Sequence, residues 1–141
     1  MSIELLKHSL HALVANYDII HKTIIVEPMG KPRMTQRDRW KKRPATDKYY
    51  VFKDALRYQC KAPKRCIGIS WIAYISIPKS RKKDNLDGLR HAQRPDKDNI
   101  EKGILDTLFK EDSHISIGYS DKRWDDGKGA RIELYFHCIK D

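Results

Sequence analysis

The sequence predicts a single α/β domain of the mixed α+β kind, a mixed sheet of about four strands with flanking helices. Three observations predict it. The chain of 141 residues, 40% of them hydrophobic, suffices for one ordinary core and is short for two. Its apolar spacing switches between helical and alternating periods, giving the order α-β-loop-α-β-loop-α-β-β. No internal repeat, low-complexity tract or interdomain linker divides residues 1–141.

The first element, "SIELLKHSLHALVAN", places Ile3, Leu6, Leu10, Leu13 and Val14 at helical spacing, with Ser2 as N-cap and Glu4 in the first turn. Residues 1–16 therefore read as a short amphipathic helical extension at the N-terminus. "YDIIHKTIIVEP" is rich in β-branched residues and closed by Pro28, which suits a strand. "MGKPRMTQRDRWKKRPATDKYY" reads as a loop, because Pro32 and Pro44 discourage regular structure. Asp47 is the expected cap of a helix over "KYYVFKDALRYQCKA", with Tyr50, Val51, Phe52, Ala55 and Leu56 on its apolar face and Pro63 as its stop.

From Ile67 to Ile77, isoleucines, Trp71 and Ala73 alternate with Gly68, Ser70, Ile72, Tyr74 and Ser76, the period of a strand. The polar loop "PKSRKKDNLDGLRHAQRP" then leads to "RPDKDNIEKGILDTLF", where Pro95 ends the loop and Asp98 or Asn99 is placed to cap a helix from about Ile100 to Phe109. Ile100, Ile104, Leu105 and Leu108 form its apolar stripe. Finally, "ISIGYSDKRW" and "ARIELYFHCI" flank "DDGKG", turn chemistry for a β-hairpin.

Charge narrows the function classes. Lys and Arg outnumber Asp and Glu by 29 to 19, a formal net charge of +10, which draws polyanions such as nucleic acid. The positive residues cluster in the two loops: Lys31, Arg33, Arg37, Arg39, Lys41, Lys42 and Arg43, then Lys79, Arg81, Lys82, Lys83 and Arg94. Trp40 lies in the first cluster, where it can stack on an exposed base or pack on the loop. Three cysteines, Cys60, Cys66 and Cys138, without a CxxC pair, point to reduced core thiols rather than a disulfide framework or zinc site. No apolar run approaches the ~20 residues of a membrane span, and the N-terminus lacks signal-peptide regions, so a cytoplasmic protein is expected.

Acids at a helix mouth stand out in so basic a chain. One capping carboxylate accounts for Asp98 but leaves Asp96 as a surplus. Lys102 follows Asp98 by four residues, which places an ammonium beside the pair, either as a solvated ion pair or as a working group. Glu111 and Asp112 join these acids if the next strand pairs beside the one ending at Ile77. Such a cluster needs a cation to relieve its repulsion, and oxygen ligands favour Mg²⁺ or Mn²⁺. An EF-hand starting at Asp96 fails, since it wants Gly at Glu101 and Glu at Thr107, and His91 and His114 without cysteines are weak zinc ligands.

"RPDKDNIEKGILDTL" resembles the RusA family of Holliday junction resolvases, especially their phage and prophage versions. It fits the family's Pro-Asp-x-Asp-Asn-x-x-Lys-x-x-x-Asp-x-Leu pattern at every defined position. "GKPRMT", "PKS" and "HAQRPD" agree as well, so the likeness covers most of Gly30 to Ile117. The resemblance implies that Asp96, Asp98 and Asp112 bind Mg²⁺, that Lys102 is catalytic, and that Asn99, Asp106 and Glu111 support them. It departs at Glu111-Asp112, where the family has two adjacent aspartates. It further implies a homodimer that nicks four-way or branched DNA in recombination, repair or phage DNA processing, leaving 5′-phosphate and 3′-hydroxyl ends. The metal would activate water for in-line attack, and Lys102 would stabilise developing negative charge. The rival expectations are a basic DNA-binding protein without catalysis, and a metal-dependent nuclease that prefers flaps, forks or RNA.

Overall fold

The computed structural model describes residues 3–4, 17–33 and 43–140. Its elements are β1 (Tyr17–Ile24), α1 (Pro44–Gln59), β2 (Cys66–Ile75), a 3₁₀ helix (Lys79–Asp84), α2 (Lys97–Leu108), β3 (Ser120–Trp124) and β4 (Arg131–Ile139). They form the expected α+β fold, a mixed four-stranded sheet of order β1-β4-β2-β3 with flanking helices. Most of the predicted extension 1–16 lies outside the described residues; Ile3 packs against Ile19 and Tyr135.

Period-two patterning sends one set of strand side chains toward the helices. Ile24, Ile69, Trp71, Ala73, Ile75, Ile132, Leu134 and Phe136 meet Tyr49, Phe52 and Leu56 of α1 and Ile100 and Ile104 of α2 in one core. The opposite face is also buried at its centre. There Ser70 and His137 are 0% and 2% exposed, and Ser70 Oγ lies 2.7 Å from His137 Nε2 while accepting the Tyr119 N–H at 2.9 Å. Burial pushes the His137 imidazole below its ordinary pKa, which favours the neutral ring in this pair. The three cysteines are free and buried, as their spacing predicts.

Helix α1 begins earlier than expected. Pro44 opens it, since a first-turn residue needs no amide donor, and Arg43 rather than Asp47 is the N-cap. This phase buries Thr46, Tyr49, Phe52 and Leu56 and leaves Tyr50 and Val51 exposed, contrary to the predicted apolar face. Helix α2 likewise begins at Lys97, so Asp96 is its N-cap in place of Asp98 or Asn99.

The predicted hairpin is absent. β4 is antiparallel to both β1 and β2, while β3 runs parallel to β2 on its far side, so β2 separates the two strands. The Asp125 N–H donates to Ile75 O at 2.8 Å, and the chain then crosses the end of β2. Arg131 holds this crossing through paired 3.0 Å bonds to Asp126 and lies 3.9 Å from the Tyr74 ring centroid. That guanidinium holds the Asp126 carboxyl down at about 2. The Asp-Gly and Gly residues do make a turn, but a turn between non-adjacent strands.

A parallel β2–β3 pair requires a crossover, and α2 supplies it. The helix consequently runs opposite to both strands. Its start lies beside the Ala73–Lys122 pair, where Lys122 Nζ meets Pro95 O at 2.7 Å, and the segment after its end returns to the start of β2, where the Ser116 N–H meets Ile67 O at 2.8 Å.

Candidate active site

The site is built around the open mouth of α2. Asp96 has the extended backbone of an N-cap, and its carbonyl accepts the Ile100 N–H at 3.1 Å, but its side chain makes no capping hydrogen bond. Capping therefore consumes neither carboxylate. The Asp98 side chain, in the first turn, is 71% exposed, and Lys102 Nζ lies 3.7 Å from its Oδ2. The first turns of the helix thus present the Asp98–Lys102 pair to solvent, with exposed Asp96 at the mouth.

The chain leaving β1 lies across this mouth. The Lys31 N–H donates to Asn99 O at 3.1 Å, and a Cβ on Gly30 would stand 3.1 Å from Asn99 Cβ and 3.3 Å from Pro95 Cβ. Only a residue without a side chain fits so closely without displacing one of them. Together Gly30, Lys31, Arg94, Pro95, Asp96 and Asn99 line a cleft, which continues along Pro32 and Arg33 to Lys102. Cations from three separate segments thereby line the cleft that Asp96 enters, an arrangement suited to a phosphodiester.

Asp106 has another task. Its carboxylate accepts the Tyr49 hydroxyl at 2.7 Å and Lys53 Nζ at 3.0 Å, and lies 3.5 Å from Lys31 Nζ, joining α1, α2 and the chain after β1. Partial burial works to raise its pKa, but the Tyr49 and Lys53 hydrogen bonds outweigh it and hold the carboxyl below its ordinary value. A lowered carboxylate pKa stabilises the fold above the unfolded-state pKa, and that contribution disappears as pH falls through the folded-state value. Asp106→Asn is therefore expected to cost about 1 kcal/mol at neutral pH, discounted for a partly exposed group. Thermal melts should show a loss of about 3 °C that shrinks on acidification below the carboxylate range.

The structure does not gather all the acids in one chain. α2 spans 12 residues, a rise of ~18 Å, and Asp112 follows its far end, level with the start of β2 rather than its Ile75 end. The condition for bringing Glu111 and Asp112 to the pair, a neighbouring strand beside β2, is met in a direction that carries them away. Glu111 Oε1 accepts the Ser113 N–H at 3.0 Å, and Asp112 O accepts the Ile115 N–H at 3.0 Å. Among the described residues, no three His, Cys, Asp or Glu side chains gather closely enough to hold a metal ion. The oxygen chemistry of the three aspartates suits Mg²⁺, but their arrangement within a single chain does not.

The expected DNA contacts divide similarly. Lys31, Arg33 and Arg94 line the cleft. Arg43 Nη2 donates to Arg33 O at 2.8 Å and so fixes the chain beside it. Lys79, Lys82 and Lys83 are exposed on the 3₁₀ helix, whereas Arg81 bonds Asp84 at 3.2 Å and lies 5.3 Å from the Trp124 ring centroid. Arg37, Arg39, Trp40, Lys41 and Lys42 lie outside the described residues. The sequence reading missed Lys122, whose Nζ reaches Gln93 O at 2.5 Å and Pro95 O at 2.7 Å. No spacing signal marks a lysine in β3; only the pairing of β3 with β2 carries it there.

Fold and cleft together define a small α+β protein with an acid–lysine site set among cations at a helix mouth. The family model of Endodeoxyribonuclease RusA matches residues 26–135, a stretch that includes β2, both helices, β3 and the whole cleft, and the chain belongs to that endodeoxyribonuclease family. Comparison with curated proteins and with solved structures found no match. Among the described residues, no helix is long and apolar enough to cross a membrane.

Proposed function

We propose that this chain is a Mg²⁺-dependent endodeoxyribonuclease that resolves Holliday junctions and related branched DNA by paired symmetric nicks, in recombination, repair or phage DNA processing. Its setting is the cytoplasm of a bacterial or phage-infected cell. The observation that carries this reading is the helix mouth, where Asp96 and Asp98 make no capping bond and Lys102 stands 3.7 Å from Asp98 in a cation-lined cleft. An endodeoxyribonuclease family assignment gives the substrate class, and a formal charge of +10 favours its capture.

The roles follow from side-chain chemistry. Lys31, Arg33 and Arg94 seat the phosphodiester, with the basic loops at 31–43 and 79–94 following the backbone on either side. Lys102, a compact charge, stabilises negative charge that develops on the phosphoryl or leaving oxygen. Water attacks phosphorus in line, the 3′ oxygen departs, and the ends formed are a 5′-phosphate and a 3′-hydroxyl. Mg²⁺, with Mn²⁺ as a substitute, would supply charge neutralisation and water activation when bound by Asp96, Asp98 and an Asp112.

A homodimer answers the arrangement of these acids. α2 rises ~18 Å between the Asp96–Asp98 mouth and the far end that Asp112 follows, so a second copy is the natural source of the third carboxylate. A two-fold dimer also presents two sites to the two symmetry-related strands of a four-way junction. The test is a labelled mobile junction incubated with the protein and Mg²⁺ or Mn²⁺, with and without EDTA, alongside flap and RNA-duplex competitors. Paired symmetric nicks abolished by EDTA are expected. Binding without cutting, or preferential cutting of flap or RNA, would overturn the assignment.

A further inference from the structure

The loop that enters the active-site helix is fastened along its length to the outer edge of β3. The Gly88 N–H donates to Trp124 O at 3.2 Å, the Trp124 N–H to Leu89 O at 2.8 Å, and the His91 N–H to Lys122 O at 3.1 Å. Arg90 and Arg123 form an antiparallel bridge, and the His91 ring packs 4.3 Å from that of Trp124. After His91 the backbone pairing stops. From there the Lys122 side chain takes over, with its ammonium donating to Gln93 O and Pro95 O at 2.5 and 2.7 Å.

These two carbonyls flank the last turn of chain before Asp96. Lys122 is partly buried and held in the sheet through the Ala73–Lys122 pair, so both carbonyls are tied to β3. From Pro95 the chain passes directly into Asp96 and the first turn of α2, whose N-cap side chain adds no hydrogen bond of its own. The position of the two acids is thus set from behind, by a cation that lines neither cleft wall.

We propose that Lys122 is a positioning residue for cleavage, a clamp that fixes residues 93–95 and through them the placement of Asp96 and Asp98. It acts through these residues and does not touch the DNA. The proposal rests on Asp96 and Asp98 being the cleaving acids. A displacement of about 1 Å at a reacting centre can cost about 10²-fold in rate without altering substrate affinity. Removing the clamp should therefore lower kcat more than it raises KM.

Two variants and two readouts test this. Lys122→Met keeps the aliphatic stem and removes the donors, whereas Lys122→Arg restores donors at the same place. Hydrogen exchange is followed by peptide in both, with kcat and KM for junction nicking measured alongside. In Lys122→Met, exchange should quicken over 93–100 and stay at the parent rate in β2 and β4. Its kcat should drop about 10²-fold with KM within about threefold of the parent, and Arg should recover at least about tenfold of that loss. Unchanged exchange over 93–100, an unchanged kcat, no recovery with Arg, or loosening spread across the whole sheet would overturn the proposal. If the parent cuts no DNA, the nuclease reading fails, while local exchange still decides whether Lys122 holds the loop.

Discussion

Asp98→Asn is expected to bind a four-way junction within about threefold of the parent and to cut it at least about 10³-fold more slowly, a barrier increase of about 4 kcal/mol. The substitution keeps the size and most of the shape of the side chain and removes its charge. The fold has little to lose: Asp98 makes no capping bond, its side chain is 71% exposed, and its 3.7 Å pair with Lys102 is a surface contact. What disappears is an exposed acid at the helix mouth, paired with the Lys102 that lines the cleft. Single-turnover nicking and gel-shift titration on the same preparation separate the two effects. A variant that cuts at the parent rate would remove Asp98 from the mechanism, and one that loses binding and cutting together would assign it to DNA capture.

Asp98→Asn and Asp112→Asn, each inactive alone, are expected to restore cutting when assembled together. If the site joins the Asp96–Asp98 mouth of one subunit to Asp112 of the partner subunit, a mixed dimer has one site in which both substitutions fall together and one in which neither occurs. Random assortment makes about half of the dimers mixed, so about a quarter of all sites are intact. If each chain built its own site, no mixed dimer would have an intact one. Co-expression with two different affinity tags isolates the mixed dimer, and a labelled junction reports its products. The expected product is a junction nicked on one strand of the pair, since the second site is doubly disabled. No activity above that of the single variants would refute the shared site.

The acids, the lysine and their helix were legible because their signal is local. Asp-x-Asp ahead of an apolar stripe, with Lys102 four residues after Asp98, marks a helix there, although its start lies at Lys97 with Asp96 as the cap rather than near Ile100. β2 and β4 were legible for the same reason, since alternation is a property of consecutive residues. The hairpin was not. Asp126-Gly127 and Gly129 require a turn, but a turn does not say whether its flanking strands are neighbours, and β2 lies between them. Phase misled the reading of α1: reading Pro44 as a breaker hid the true start, and Tyr49 rather than Tyr50 faces the core. The separation of Asp112 from the other acids, and the approach of Lys122, both follow from β3 being parallel to β2. That is a tertiary fact, set by the crossover and invisible in spacing.

β4 comes last among the strands in chain order yet stands inside the sheet, bonded to β1 on one side and β2 on the other. During synthesis, β1, α1, β2, α2 and β3 therefore emerge with β1 lacking its only sheet partner. A ribosome-held chain that stops before Arg131 cannot join the Gly30–Arg33 segment, carried by β1, to the helix mouth carried beside β2 and β3 through the finished sheet. At the usual pace of about 5–20 residues per second, β4 itself takes under about two seconds to make, and only then does β1 gain its sheet partner. The two walls of the cleft are thus joined through the sheet by a strand made after both of them.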